Sequence, residues 1–397
     1  MSPAPRVIRA ALQGPRPAYI YDLAVVRERV AALRAALPEG TRIAYAMKAN
    51  GHPAVVRAAL DAADGLEVAS TGELQAATDE LRAATDELQA AAGGLGTATG
   101  KLVLFSGPAK SDEGLRAAVA GGAVINVESL HELRRLPAGA RICLRVNREH
   151  AALPGTHRMT GAATQFGLAE DDLERAVHTA RRGGHEVLGF HLHAVSNNLD
   201  AAAHGAYIDD CIAWAQRQQG PLGVADPWVN VGGGFGVDVT GAAGFDLAAL
   251  KIERKITPGR LIVEPGRFVA AEAGWYATEV VDVKRSHGTW FAVVRGGTHH
   301  FRLPASWGYS HPFTVLPVDD WPYGFERPEV RDARVTVAGE QCNPRDVLSR
   351  DEPVQRLRAG DVLLYARTGA YGWEVAHHDF LKLEHPAFTV LDPGATG

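Results

Sequence analysis

Cysteine is scarce: three in 397 residues, Cys143, Cys211 and Cys342, widely spaced and with no CxxC pair. That count excludes a disulfide framework and leaves free thiols, of which at most one is expected to be chemical. A basic excess is also missing. The 41 lysines and arginines stand against 46 aspartates and glutamates, for a net charge of −5 and a pI near 6.3. This balance argues against nucleic acid or an anionic membrane surface as partner, and a small molecule becomes the expected one. Long apolar runs are absent too, since no run of about eighteen apolar residues escapes a charge. The N-terminal MSPAPRVIRAALQGPRP lacks the apolar core of a secretory signal. The expected location is cytoplasmic.

What is present is enough apolar material, 46% of residues, to bury one large domain plus a smaller one. Over the first two-thirds of the chain, short apolar runs alternate with helical patterns: RIAYAMK, GLEVAS, KLVLFSG, AVINVES, ARICLRVN, EVLGFHLHAV, WVNVGGG and RLIVEPG. Eight strands separated by helices, with no nucleotide fingerprint after the first, match a parallel (β/α)8 TIM-like barrel better than a doubly wound sheet. From about Ala271 closely spaced strand patterns follow, such as WYATEVVDVKR and ARVTVAGEQC. They read as a β-rich second domain.

One stretch repeats itself. ELQAATD at Glu73–Asp79 recurs as ELRAATD at Glu80–Asp86 and restarts at Glu87, so that Leu74, Leu81 and Leu88 with Ala77, Ala84 and Ala91 form one apolar stripe. Two and a half heptads ended by GGLGTATG are short for a coiled coil. A duplication that lengthens one barrel helix is the expectation.

Lys48 closes the first strand pattern, in YAMKAN, on the face where such barrels carry their chemistry. Desolvation there favours the neutral amine that a carbonyl needs, although a strand can equally end in a solvated lysine. If Lys48 holds pyridoxal phosphate, a phosphate cradle and a partner for the ring nitrogen are required. NVGGGFG supplies Gly232, Gly233 and Gly234, whose backbone can approach an anion closely, as plain turns also can. VEPGRF places Glu264 at another strand end, followed by Gly266 and Arg267. A carboxylate keeps the ring nitrogen protonated and the ring a strong electron sink, whereas an arginine there favours racemisation. GFHLHAVSNN offers His193 to stack on the ring and Ser196 for the phosphate; the pair His191 and His193 could equally bind metal, but no partner with ligand spacing accompanies it. GEQCNPRDVL holds Cys342 in a polar loop, where an ordinary thiol, about 3% ionised at pH 7, can donate a proton. GAYG places Tyr371 in a tight turn, open to a phosphate oxygen or to packing.

In this order the motifs resemble the fold-type III pyridoxal-phosphate decarboxylases, the group of the diaminopimelate, ornithine and arginine enzymes. PAYIYDLAVVRERV, YAMKAN, VASTGEL, FSGPAKSDEGL, INVESLHEL, FHLHAVS, NVGGGFG, EPGRFVA, GEQCNPRDVL and GAYG carry the likeness through nearly the whole chain. The resemblance implies an alanine racemase-like two-domain architecture, with a barrel over 24–270 and a β domain from 1–23 and 271–397. It implies Lys48 as the Schiff-base lysine, His193 on the ring face and Glu264 on the ring nitrogen. Ser196, Gly232–Gly234, Gly266, Arg267 and Tyr371 are then the phosphate ligands. It also implies a head-to-tail homodimer in which Cys342 reaches the partner's site.

Two departures bear on the substrate. Val195 replaces a glycine of the family's HxHxGS pattern, and Asn343 stands where diamino-acid enzymes carry an acidic residue after the cysteine. An ammonium arriving at Asn343 meets no carboxylate. Arg295, His299, His300, Arg302, His311, His377 and His378 instead suit a substrate with several carboxylates, and Arg302 aligns with a carboxylate-binding arginine of the family. HAVSNNLD and GAYGWEVAHHDF are most similar to the siderophore-biosynthesis subgroup that acts on citryl-diaminopropionate-type compounds. A diaminopimelate or diamine decarboxylase, a racemase and a non-catalytic vitamer carrier are the alternatives.

Overall fold

All eight apolar runs form strands, and their pairing decides between the two candidate sheets. In this computed structural model, which describes residues 3–86, 100–150 and 153–393, the strands are Arg42–Ala46, Gly65–Val68, Leu102–Phe105, Val124–Val127, Arg141–Asn147, Glu186–His191, Trp228–Asn230 and Leu261–Val263. Each runs parallel to its neighbours, and the eighth pairs back onto the first through Ile262↔Arg42 and Val263↔Ile43. The sheet is therefore a closed barrel, and the doubly wound alternative is excluded. Its strands are buried on both faces, which is why they read as continuous apolar runs. Ala44, Leu104, Val124, Cys143, Trp228 and Ile262 pack together as one cluster of the core.

Helices Pro53–Ala62, Thr71–Asp86, Asp112–Ala120, Leu130–Arg135, Leu173–Arg182 and Ala201–Leu222 make the crossovers. Ser111, Ser129 and Asp200 each cap one of them by accepting a backbone N–H three residues on. The seventh connection departs from the expected pattern. It carries a short 3₁₀ turn, Leu247–Ala249, because the glycine-rich GGGFGVDVTGAAG has little helix propensity. The repeat does form a helix, with Leu74, Ala77 and Leu81 buried in a stripe. Its third copy, with Leu88 and Ala91, lies outside the described residues.

The chain divides into two compact units. One lies within Arg27–Val237 and Ala243–Val269 and contains the barrel; the other lies within Met1–Val26, Asp238–Ala242 and Ala270–Gly397. In the second, strands Phe313–Leu316, Val362–Ala366, Gly274–Ser286, Thr289–Val294, Glu329–Ala338 and Val347–Arg358 follow one another across a mixed sheet. The N-terminal strand Ala18–Asp22 joins it, antiparallel to Gly274–Ser286 and parallel to Ala387–Leu391. Val7 and Ala11 of a helix over Pro5–Gln13, which the sequence reading did not anticipate, pack on Ile20, Trp275 and Leu364. Among the described residues no helix is long and apolar enough to cross a membrane.

Candidate active site

The barrel unit's polar strand ends converge. Lys48 sits in the 3₁₀ turn Met47–Ala49 that ends the first strand, and its Nζ lies 2.6 Å from Oε2 of Glu67 on the second. Its side chain is 45% exposed while that of Glu67 is fully buried. Sequence reading expected a desolvated amine; the structure shows a half-exposed one salt-bridged to a carboxylate, because Glu67 rises from the neighbouring strand, a position that spacing does not reveal.

Glu264 follows the eighth strand and is buried. Its carboxylate accepts hydrogen bonds from Asn230 Nδ2 at 2.7 Å and Asn126 Nδ2 at 3.4 Å, and lies 3.3 Å from His191 Nε2. Burial alone would raise its pKa, but His191, Lys48 and the Asn230 hydrogen bond outweigh that and hold the carboxyl far below the usual range. An anion is thus kept in the barrel mouth. His193 lies in the turn after the sixth strand, its ring 17° from the plane of His191. Its Nδ1 is buried without a hydrogen-bond partner among the described residues. Burial first, then the charges of Arg145, His191 and Lys48, lower its pKa well below that of an ordinary histidine, so the ring is neutral.

The glycines of the seventh strand's loop have structural causes of their own. Gly232 and Gly234 hold φ of +68° and +95°, and a Cβ on Gly232 would lie 2.4 Å from His193 Nδ1. A Cβ on Gly266 would sit 2.9 Å from that of Ala49, so the Glu264 turn is pressed directly onto the Lys48 turn. Arg267 is buried and begins the helix Arg267–Ala270. Val195, which replaces the family glycine, packs against Gly155, and Val195–Ser196 pairs antiparallel with His157–Arg158. The departure therefore anchors the loop after the fifth strand.

Several groups here escaped sequence reading: Glu67, Asn126 and Asn230, the contact of His191 with Glu264 in place of the metal role weighed for it, and the buried ion pair of Arg145 Nη1 and Glu128 Oε1 at 2.8 Å. A signal existed. Each of Glu67, Asn126, Asn230 and His191 is a polar residue inside or ending an otherwise apolar strand, where burial demands a partner.

The remaining predicted residues lie in the β unit. Cys342 is exposed, whereas Cys143 and Cys211 are buried, and burial pushes the thiol of Cys211 up to about 12. Asp346 fastens the Cys342 loop, its Oδ2 accepting from Gln341 N at 2.9 Å while its Oδ1 accepts from Thr298 N at 2.6 Å. Asn343 Oδ1 accepts from Arg345 N at 3.0 Å. Arg302 is exposed, with Nη1 2.7 Å from His377 Nδ1. Tyr371 occupies a turn at φ +59°. The histidines gathered as a cationic set are split by burial. His300 and His311 are fully buried on the backbone carbonyls of Glu384 and Ala366, and burial lowers their pKa values to about 3 and about 4. They are neutral at pH 7 and supply no charge. His299 is also buried, 3.0 Å from Gln341 Nε2, and its pKa is lowered by burial.

A sequence model described as "Pyridoxal-dependent decarboxylase, pyridoxal binding domain" matches residues 23–271. The chain is 37% identical to the 2-[(L-alanin-3-ylcarbamoyl)methyl]-2-hydroxybutanedioate decarboxylase of Staphylococcus aureus (strain NCTC 8325 / PS 47), over 94% of this chain and 93% of that one. It is 34% identical to the diaminopimelate decarboxylase of Deinococcus radiodurans, over 94% and 89%. The solved diaminopimelate decarboxylase of Helicobacter pylori complexed with L-lysine shares the fold, with a TM-score of 0.78 and 23% identity over 96% of this chain and 92% of that one. The chain belongs to the pyridoxal-dependent decarboxylases, and its cofactor is pyridoxal 5′-phosphate.

Proposed function

We propose that this pyridoxal-dependent decarboxylase removes the α-carboxylate from an amino acid joined to citrate, of the citryl-diaminopropionate type, in siderophore biosynthesis. The observation that carries the substrate is the Staphylococcus aureus relative, whose named substrate is a hydroxybutanedioate bearing an alaninyl amide, similar across nearly the full length of both chains. The β unit agrees with it. Arg302 presents an exposed guanidinium, and the loop after Cys342 carries Asn343 and Arg345, while its one carboxylate, Asp346, is buried and already accepts from the backbone of Gln341 and Thr298, so it is not presented to a distal ammonium.

The barrel residues fit the cofactor. Glu67 Oε1, Asn126 Oδ1 and His193 Nδ1, around Lys48 and Glu264, are buried polar atoms without hydrogen-bond partners among the described residues. Lys48 is the residue that bonds the cofactor covalently. His193 offers an uncharged flat ring for stacking, and Glu264 a held anion for the ring nitrogen. Ser196, Gly232, Gly233, Gly234, Gly266, Arg267 and Tyr371 are the phosphate ligands in this reading. When bound, the cofactor supplies the electron sink that loss of carbon dioxide requires. Glu264 keeps the proton on the ring nitrogen, and Asn230 and Asn126 keep Glu264 oriented. Cys342 Sγ, with Lys48 Nζ as the second donor, delivers a proton to the α-carbon. Arg302, with the neighbouring Asn343, faces the citrate end, and the buried His299, expected from sequence to bind substrate, supports them from behind through Gln341.

The enzyme acts in the cytoplasm as a homodimer in which Cys342 serves the partner's barrel, and nucleic acid and membranes are not among its partners. Mixing Lys48→Ala with Cys342→Ala subunits tests the shared site. About a quarter of wild-type activity returns if the site is shared, and none if each subunit is self-sufficient.

Substrate identity is tested by carbon dioxide release and product mass from the citryl compound, meso-diaminopimelate, ornithine, lysine and arginine in parallel. Turnover of the citryl compound alone is expected. The Deinococcus radiodurans relative supports a second reading, decarboxylation of diaminopimelate, which turnover of that compound would establish.

A further inference from the structure

Arginine is a donor at every nitrogen. Arg302 Nη1 lies 2.7 Å from His377 Nδ1, so this imidazole nitrogen is an acceptor and carries no proton. A neutral ring then holds its hydrogen on Nε2, which faces Gln341 Oε1 at 3.4 Å. The orientation of the Gln341 amide follows, with its Nε2 donating to His299 Nδ1 at 3.0 Å and Thr298 Oγ1 at 3.2 Å. One guanidinium thereby sets the direction of a whole chain of hydrogen bonds. Gln341 is itself immobilised, because it is buried and its backbone N–H is held by Asp346, and the next residue is Cys342.

We propose that His377 is a positioning residue that fixes the Arg302 guanidinium for the distal carboxylates of the substrate, with Gln341 as its brace. The inference rests on the assignment of Arg302 to substrate recognition. A long exposed arginine otherwise spends its binding free energy on losing rotamer freedom, and an anchor at one nitrogen removes that loss while leaving the other nitrogens of the fork to the ligand. The remaining charged and titratable groups acting on His377 are Asp346 and His378; burial and Arg302 together keep its pKa below the ordinary value.

The experiment exploits the two ring nitrogens separately. Asparagine places an oxygen near the position of Nδ1, and glutamine places its amide near Nε2. KM and kcat are measured for His377→Ala, His377→Asn and His377→Gln on the citryl substrate and on free 2,3-diaminopropionate, alongside the dissociation constant of citrate by calorimetry. Loss of one charge-assisted hydrogen bond corresponds to roughly a tenfold change in affinity. His377→Ala and His377→Gln are therefore expected to raise KM and the citrate constant about tenfold with kcat nearly unchanged, and His377→Asn to restore both. Equal behaviour of the Asn and Gln variants, or an equal KM rise on the substrate without distal carboxylates, overturns the proposal. Arg302→Ala separates the two readings. If it leaves citrate binding intact, the Arg302 assignment is wrong; if it abolishes binding while His377→Ala does not, only the positioning role is wrong. Retained visible absorbance of the lysine-bound cofactor shows that each variant is folded.

Discussion

Lys48 Nζ and Glu67 Oε2 are 2.6 Å apart, joined across the mouth of the barrel from adjacent strands. The carboxylate is the fixed member, fully buried, and the lysine the movable one. Lys48→Ala is expected to abolish the visible absorbance of the lysine-bound cofactor. Glu67→Gln is expected to keep the absorbance but lower the pH at which the linkage loses its proton, because the neighbouring anion that favours the protonated nitrogen is gone. A spectrophotometric pH titration reads both.

Glu264→Gln removes the anion and preserves the shape. Cofactor content, measured by absorbance, is expected to persist, while kcat falls roughly 10²-fold, the scale on which one preorganised electrostatic contact acts. Full activity in the variant would sink the electron-sink role.

Gly232→Ala combines two faults, a side chain at φ +68° and a Cβ 2.4 Å from His193 Nδ1. The backbone cost alone is about 1–2 kcal/mol, and His193 must move. The expected result is weaker cofactor binding in fluorescence titration together with a lower Tm, with the cofactor affinity losing more than the apoprotein stability.

His204 and His311 are buried, and burial lowers each from 6.5 to about 4. Above the unfolded value of 6.5 both states are neutral and neither group makes stability depend on pH. As pH falls from 6.5 toward about 4, the unfolded chain takes up protons that the native fold refuses. Stability then decreases, by at most about 1.4 kcal/mol per pH unit for each histidine. His311→Gln keeps a donor for the Ala366 carbonyl and removes one titration. Urea unfolding across this range is expected to show a shallower acid slope in the variant; an unchanged slope would assign the loss to other groups.

The eight barrel strands were legible because a strand buried on both faces must be apolar throughout, as Val124–Val127 and Leu261–Val263 are. Residues at the ends of those runs, Lys48 and Glu264 above all, stood out for the same reason. The helix over Pro5–Gln13 did not, because its partners Trp275 and Leu364 are distant in sequence. The histidines of RGGTHHFRL and SHPF show the limit most clearly. By composition they are titratable groups suited to anions, yet His300 and His311 are neutral and internal while Arg302 beside them is exposed.

By itself the sequence determined the strand pattern, the family and the residue types of the site, since periodicity and motif are local properties of a chain. Closure of the barrel, the Lys48–Glu67 pair, the three side chains that hold Glu264 and the direction of the Arg302–His377–Gln341 chain were decided only in the folded state. Each depends on which segments the fold brings side by side, and on burial, which together with neighbouring charges and hydrogen bonds sets the charge a side chain keeps.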